Sequence, residues 1–147
     1  MKRRKLKTKN RELIEYLKDF TKIIEKFYNL NCVILFGSQA RGDFMPSSDI
    51  DLIFVGDFED KFTKRGDIIY EKHNWKYGLD AFCYTAQEFD TMFSKGVISI
   101  LDAIDEGICL LGQDFFNRYK KKIEVLKERG LRKESPVWIL PESMVVD

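Results

Sequence analysis

The sequence predicts a single α/β domain, and three observations carry that expectation. Stretches with apolar residues at three- and four-residue steps alternate with short apolar runs of strand length. The 147 residues suffice for one domain with one real core. No repeat, linker or low-complexity stretch divides the chain.

Each element follows in order. Leu13, Ile14, Leu17, Phe20, Ile23, Ile24 and Phe27 predict an amphipathic helix from Asn10 to Asn29. Cys32 to Phe36 and Ile50 to Val55 read as short buried strands. Phe58 to Lys72 reads as helical despite Gly66, and Leu79 to Tyr84 as a third strand. Thr85 is placed to cap a short helix carrying Glu88 and Phe89. Val97 to Asp105 has helical spacing, Gly107 to Leu111 reads as a final strand, and Gln113 to Arg129 as a basic helix ended by Gly130. The chain thus divides into a basic arm (1–11), a body (12–130) and a tail (131–147). Prolines interrupt the tail too often for a helix, yet Trp138, Ile139 and Leu140 make it too apolar to float free. It is expected either to strap across the domain's own helices or to anchor another chain.

Composition narrows the setting. Hydrophobic and aromatic fractions of 44% and 14% exclude wholesale disorder. No apolar run approaches the ~20 residues of a membrane span, and the N-terminus lacks the pattern of a secretory signal. A cytoplasmic location is expected, with no membrane partner. Cys32, Cys83 and Cys109 are far apart in apolar contexts and read as core residues; with His73 the single histidine, a zinc site is not expected. His73 itself reads as a surface residue. Residues 1–11 carry seven cations and no acid, which leaves the remainder at a net charge of −6. The arm reads as a solvated, frayed terminus; nucleic-acid binding is the competing reading and is left open.

The chemistry is concentrated between Leu35 and Val55. Asp49 and Asp51 stand two apart on a strand, so they project from one face. Two close carboxylates among apolar neighbours repel and resist desolvation unless a cation lies between them. A hard divalent ion, above all Mg²⁺, resolves this, and Mg²⁺ shares its shell with water and substrate phosphates. Gly37-Ser38 supplies the phosphate end. Glycine after a strand lets the backbone turn sharply and approach a ligand. N–H groups and the Ser38 hydroxyl at the start of a helical turn form an anion cradle, to which Arg41 can add a cation. Alone, Gly-Ser reads as an ordinary strand–turn–helix corner.

The full arrangement is Gly37-Ser38, ten residues, then Asp49-x-Asp51, with Ala40-Arg41-Gly42 inside and Ser48 just before. It resembles the signature of the DNA polymerase β-type nucleotidyltransferase superfamily, in particular its small stand-alone members, the minimal nucleotidyltransferases. Gly78-Leu79-Asp80-Ala81-Phe82 carries an acid where the family has a third carboxylate. Tyr84-Thr85-Ala86-Gln87-Glu88-Phe89 resembles the family's Y-T-P-E-E-F but departs from it at Ala86 and Gln87. The resemblance covers Leu30 to Gly112 and implies the nucleotidyltransferase fold, a small mixed β-sheet packed with α-helices, for the body 12–130.

It also implies a mechanism. Gly37 and Ser38, helped by Arg41, would hold the β- and γ-phosphates of a nucleoside triphosphate, with ATP the expected donor. Asp49, Asp51 and Asp80 would hold two Mg²⁺ ions, and Asp80 would help deprotonate the attacking hydroxyl as pyrophosphate leaves. Small relatives pair with an all-helical HEPN-type protein, and in some pairs the nucleotidyltransferase is an antitoxin that transfers AMP to a tyrosine of that toxin. The alternatives are an aminoglycoside-like transferase acting on a small molecule, and a non-catalytic module that neutralises a partner by contact.

Overall fold

The computed structural model describes residues 2–42, 49–59, 61 and 64–147, with side chains from residue 11 onward. A four-stranded sheet in the order β3-β2-β1-β4 forms its centre, built from β1 (Leu30–Phe36), β2 (Ile50–Gly56), β3 (Leu79–Tyr84) and β4 (Ile108–Leu111). β1 is antiparallel to β2 and to β4, whereas β2 and β3 are parallel, so the sheet is mixed. The two central strands are covered on both faces. That is why Val33 to Phe36 and Leu52 to Val55 read as unbroken apolar runs.

Strand alternation divides these residues between two cores. On one face α1 (Lys2–Ile24) brings Leu13, Leu17, Phe20 and Ile24 against Val33, Leu35, Leu52 and Phe54. On the other, α4 (Ala86–Ser94), α5 (Ile98–Glu106) and α6 (Gln113–Glu128) enclose Cys32, Ile34, Ile53 and Val55 with Phe89, Phe93, Ile104 and Phe116. Two short helices complete the domain: α2 (Ser38–Arg41) after β1, and α3 (Asp67–Lys72) in the crossover from β2 to β3. This is the α/β architecture, with a small mixed sheet, that the sequence predicts.

Several boundaries differ for local reasons. α1 starts at Lys2 rather than Asn10, so the basic arm continues the helix instead of fraying; lysine and arginine are good helix formers and no breaker intervenes. The helix expected over Phe58 to Lys72 is confined among the described residues to Asp67–Lys72, because Gly66, at φ +128°, stands at its start. Residues 60, 62 and 63 of that stretch, like Ser48, lie outside the described residues. The Thr85 cap is a complete capping box: Glu88 N–H donates to Thr85 Oγ1 (3.1 Å), and Thr85 N–H to Glu88 Oε1 (2.7 Å).

His73 is half-buried rather than fully exposed at the surface. Its ring packs edge-on against Phe20 and Tyr16. Nε2 lies 2.8 Å from the Tyr77 carbonyl and Nδ1 3.0 Å from the Tyr16 hydroxyl, a pattern met when Nε2 carries the proton. A single histidine in a polar sequence context gave no signal of the aromatic pocket formed by distant residues. Cys32 and Cys83 are buried as expected, and Cys109 is half-buried with its thiol directed to the Leu111 carbonyl (3.2 Å).

The tail forms a hairpin, β5 (Arg132–Glu134) and β6 (Val137–Ile139), joined through a cis Ser135–Pro136 bond. Trp138 is 7% exposed within the α4–α5–α6 core, and its indole N–H donates to Asp102 Oδ1 (2.8 Å). Leu140 lies over Gly96, where an added Cβ would stand 2.6 Å from its Cδ1. Leu131, Trp138 and Leu140 of the tail thus pack on the domain itself. Truncation after Gly130 removes Leu131 and Trp138 from the core and is expected to destabilise the fold by about 3–5 kcal/mol. Calorimetric melting reads this directly, and an unchanged melting temperature would contradict the docked tail.

Candidate functional site

Three strand ends bring the acids together. β1 ends at Phe36, which pairs across the sheet with Asp51, and Asp51 pairs in parallel register with Asp80. Paired residues share a face, so Asp51 and Asp80 stand side by side. Asp49, two residues before Asp51, joins them where Ile50 N–H donates to the Gly78 carbonyl (2.8 Å).

Two glycines make room. Gly37 turns the chain into α2 at φ +76°, and a Cβ there would lie 2.4 Å from Asp51 Oδ2. At Gly78 a Cβ would lie 2.4 Å from Asp49 Oδ1. Gly37 is identifiable from its motif. Gly78 is not, because its role depends on contact with a residue nearly thirty positions away.

Electrostatics bear out the crowding. The Asp51 carboxyl is raised from 3.8 to about 6, first by burial, then by the charges of Asp80 and Asp49, with Arg41 pulling the other way. Asp51 is half-buried, whereas Asp49 and Asp80 are exposed. Among the described residues no group of three His, Cys, Asp or Glu side chains forms a ready-made metal cage. An open, oxygen-only set of donors nevertheless suits Mg²⁺, which retains water and substrate phosphates in its shell.

The other expected residues fall around this cluster. Ser38 opens α2 directly after Gly37, and its carbonyl accepts Gly42 N–H (2.9 Å). Arg41 is near enough to act on Asp51, and its Nη1 also lies 3.5 Å from Glu106 Oε2 at the end of α5. Glu106 carries no sequence signal of this contact.

Beyond Asp80 the same strand face carries Phe82, 40% exposed and packed at 5.9 Å against Phe36. The outer edge of β3 borders a cavity of about 210 Å³ lined by Arg65, Tyr70, Ala81, Phe82 and Tyr84 among others. Tyr70 accepts Ala81 N–H (2.8 Å), and Arg65 reaches Glu88 Oε1 (2.6 Å) and the Cys83 carbonyl (3.4 Å). Burial pushes the Glu88 carboxyl up, but the Thr85 N–H and the Arg65 guanidinium outweigh this and leave it below its ordinary value.

A carboxyl held above its unfolded value stabilises the fold only while protonated. For Asp51 that contribution is complete below about pH 4 and is lost as pH rises through about 6. In metal-free buffer Asp51→Asn is therefore expected to melt above wild type at neutral pH, and the gap to close as pH falls from about 6 to about 4. Melting curves across that range check the sign; a variant less stable at neutral pH would contradict the crowding.

The polymerase β nucleotidyltransferase family model matches residues 18–116, more than half of the chain. A Methanocaldococcus jannaschii protein named provisionally as a protein adenylyltransferase, MJ0604, is 42% identical over 45 residues, 29% of this chain. The chain spans 45% of the length of that curated relative. The crystal structure of a Sulfolobus solfataricus protein, provisionally a nucleotidyltransferase, aligns with a TM-score of 0.51 at 20% identity, over 71% of this chain and 84% of that one. A toxin–antitoxin complex with AMP-PNP aligns with a TM-score of 0.42 at 16% identity, over 76% of this chain and 91% of that one. With the family model matched across the whole sheet and its acids, the chain belongs to the polymerase β-type nucleotidyltransferase family.

Proposed function

We propose that this protein transfers AMP from Mg²⁺-ATP to a hydroxyl of a protein acceptor. The observation that carries the proposal is the convergence of Asp49, Asp51 and Asp80 beside the glycine turn at Gly37. Backbone groups at Gly37 and Ser38 hold the β- and γ-phosphates, and Arg41 adds positive charge there. Asp49, Asp51 and Asp80 would hold Mg²⁺, which would supply positive charge to offset that of the reacting phosphates.

Sheet order supports one arrangement of the two sides of the reaction. The phosphate turn follows β1 and Asp80 lies on β3, so they flank β2 from opposite sides. In-line displacement then directs pyrophosphate towards β1 and admits the acceptor from β3. The acceptor oxygen bonds to the α-phosphorus, the bond to the bridging oxygen breaks, and Asp80 takes up the hydroxyl proton. Phe82 and the adjoining cavity offer an aromatic, partly apolar surface on that side, on which a protein side chain could pack.

Protein adenylylation agrees with the name of the M. jannaschii relative. The all-helical HEPN-type toxin suggested by the sequence resemblance is the acceptor proposed, with this chain as its antitoxin. Among the described residues no helix is long and apolar enough to cross a membrane.

Two measurements test the reading. Wild type should bind Mg²⁺-ATP far more tightly than ATP alone in calorimetry, and equal weak heats would count against the site. Asp49→Asn and Asp51→Asn should each lower transfer from α-labelled ATP to a co-expressed helical partner by at least about a hundredfold while circular dichroism stays unchanged. A variant that transfers normally would sink the assignment.

A further inference from the structure

The end of α5 is fixed more firmly than helix packing requires. Lys127 Nζ reaches Asp105 Oδ1 (2.8 Å), and Lys120 Nζ reaches the Asp105 carbonyl (3.1 Å), both from α6. From the C-terminal hairpin, Lys133 Nζ bridges Asp102 Oδ1 (2.9 Å) and Glu106 Oε1 (2.8 Å). Trp138 ties the same Asp102 oxygen from the core side. Burial works against the Lys133 charge, but these carboxylates more than offset it and hold the ammonium above its ordinary value. Gly107 presses this helix end on β1, since a Cβ there would stand 2.7 Å from Ile34 Cγ2 and 3.0 Å from the Leu35 carbonyl.

One oxygen of this cluster is left over. Glu106 Oε2 is buried and takes part in no hydrogen bond; it faces Arg41 Nη1 at 3.5 Å. Lys133 already has a carboxylate in Asp102, so its charge does not require Glu106. An acid beside a site for triphosphate would repel the ligand unless a cation offset it, and Arg41 lies 3.5 Å from Glu106 Oε2 and near enough for its charge to act on Asp51.

We propose that Glu106 is a positioning residue for the nucleotide: braced by the C-terminal hairpin through Lys133, it holds the Arg41 guanidinium at the phosphate end of the acid cluster. The tail is then more than a strap. Its docking sets the affinity for the β- and γ-phosphates through a chain of contacts from Trp138 to Asp102, Lys133, Glu106 and Arg41. The inference rests on the nucleotide-binding reading above and adds residues to it.

A double-mutant cycle on the full chain tests this, read as displacement of a fluorescent ATP analogue by Mg²⁺-ATP and by AMP. Glu106→Gln is expected to weaken Mg²⁺-ATP about five- to tenfold, with no further loss when added to Arg41→Gln. AMP, which lacks the outer phosphates, should bind the variants and wild type alike. Lys133→Met should produce a smaller loss of the same kind, again absorbed in the Arg41→Gln background, and it keeps the test open should Glu106→Gln fold poorly. Additive losses, or equal losses for ATP and AMP, would mean a purely structural ion pair and overturn the inference alone. Wild type that binds neither nucleotide would overturn the proposed function and this inference together.

Discussion

Repulsion among carboxylates at one end of β2 is the constraint to which the rest of the sheet is fitted. Asp51 is drawn into the protein by the pairing that buries Leu52 to Val55, and the same register sets Asp80 beside it. Burial first, and then the charges of Asp80 and Asp49, hold the Asp51 carboxyl above the ordinary range. Glycine at 37 and 78 follows directly, since any side chain would occupy the space of the carboxylate oxygens. The two apolar cores have the opposite task. They pack the strands in the register that sets Asp51 beside Asp80. Stability is given up at the site and recovered in the packing around it.

The C-terminal half supplies the frame beside the Gly37 turn and Arg41. α4, α5 and α6 cover the sheet face that carries Asp51 and Asp80, and the β5–β6 hairpin closes over the outer surface of α5. Charged side chains fix that helix end at positions one turn or less apart: Asp102, Asp105 and Glu106 are each engaged by a lysine. A helix end so held carries Glu106, whose Oε2 faces Arg41 Nη1 at 3.5 Å. Packing of the tail and geometry at the site are thereby linked through ion pairs rather than through the sheet.

Much of this was legible in the sequence where the signal is local. Strand β3 was bounded correctly, and the Thr85 cap was recognised, because turn and cap chemistry lies within a few residues of the feature it controls. The acid pair and Gly37 were legible for the same reason: strand alternation and the special freedom of glycine are properties of short segments. Contacts between distant segments left no such trace. The enclosure of His73 depends on Tyr16 in α1, and the role of Gly78 depends on Asp49. The hairpin strands in the tail were missed because three-residue strands fall below the length at which alternation can be read. Glu106 has no local signal in the sequence; its significance appears when α5 is set against α2 and the tail.

In the function proposed, the three acids and the glycine turn together form a site for a divalent ion carrying a triphosphate. Mn²⁺ in place of Mg²⁺, added with a non-hydrolysable ATP analogue, tests it most directly, because the ion broadens nearby amide resonances. Selective broadening at Gly37, Ser38, Asp51 and Asp80, abolished by Asp51→Asn, is the expected result. Broadening centred elsewhere, or unchanged in Asp51→Asn, would contradict the claim.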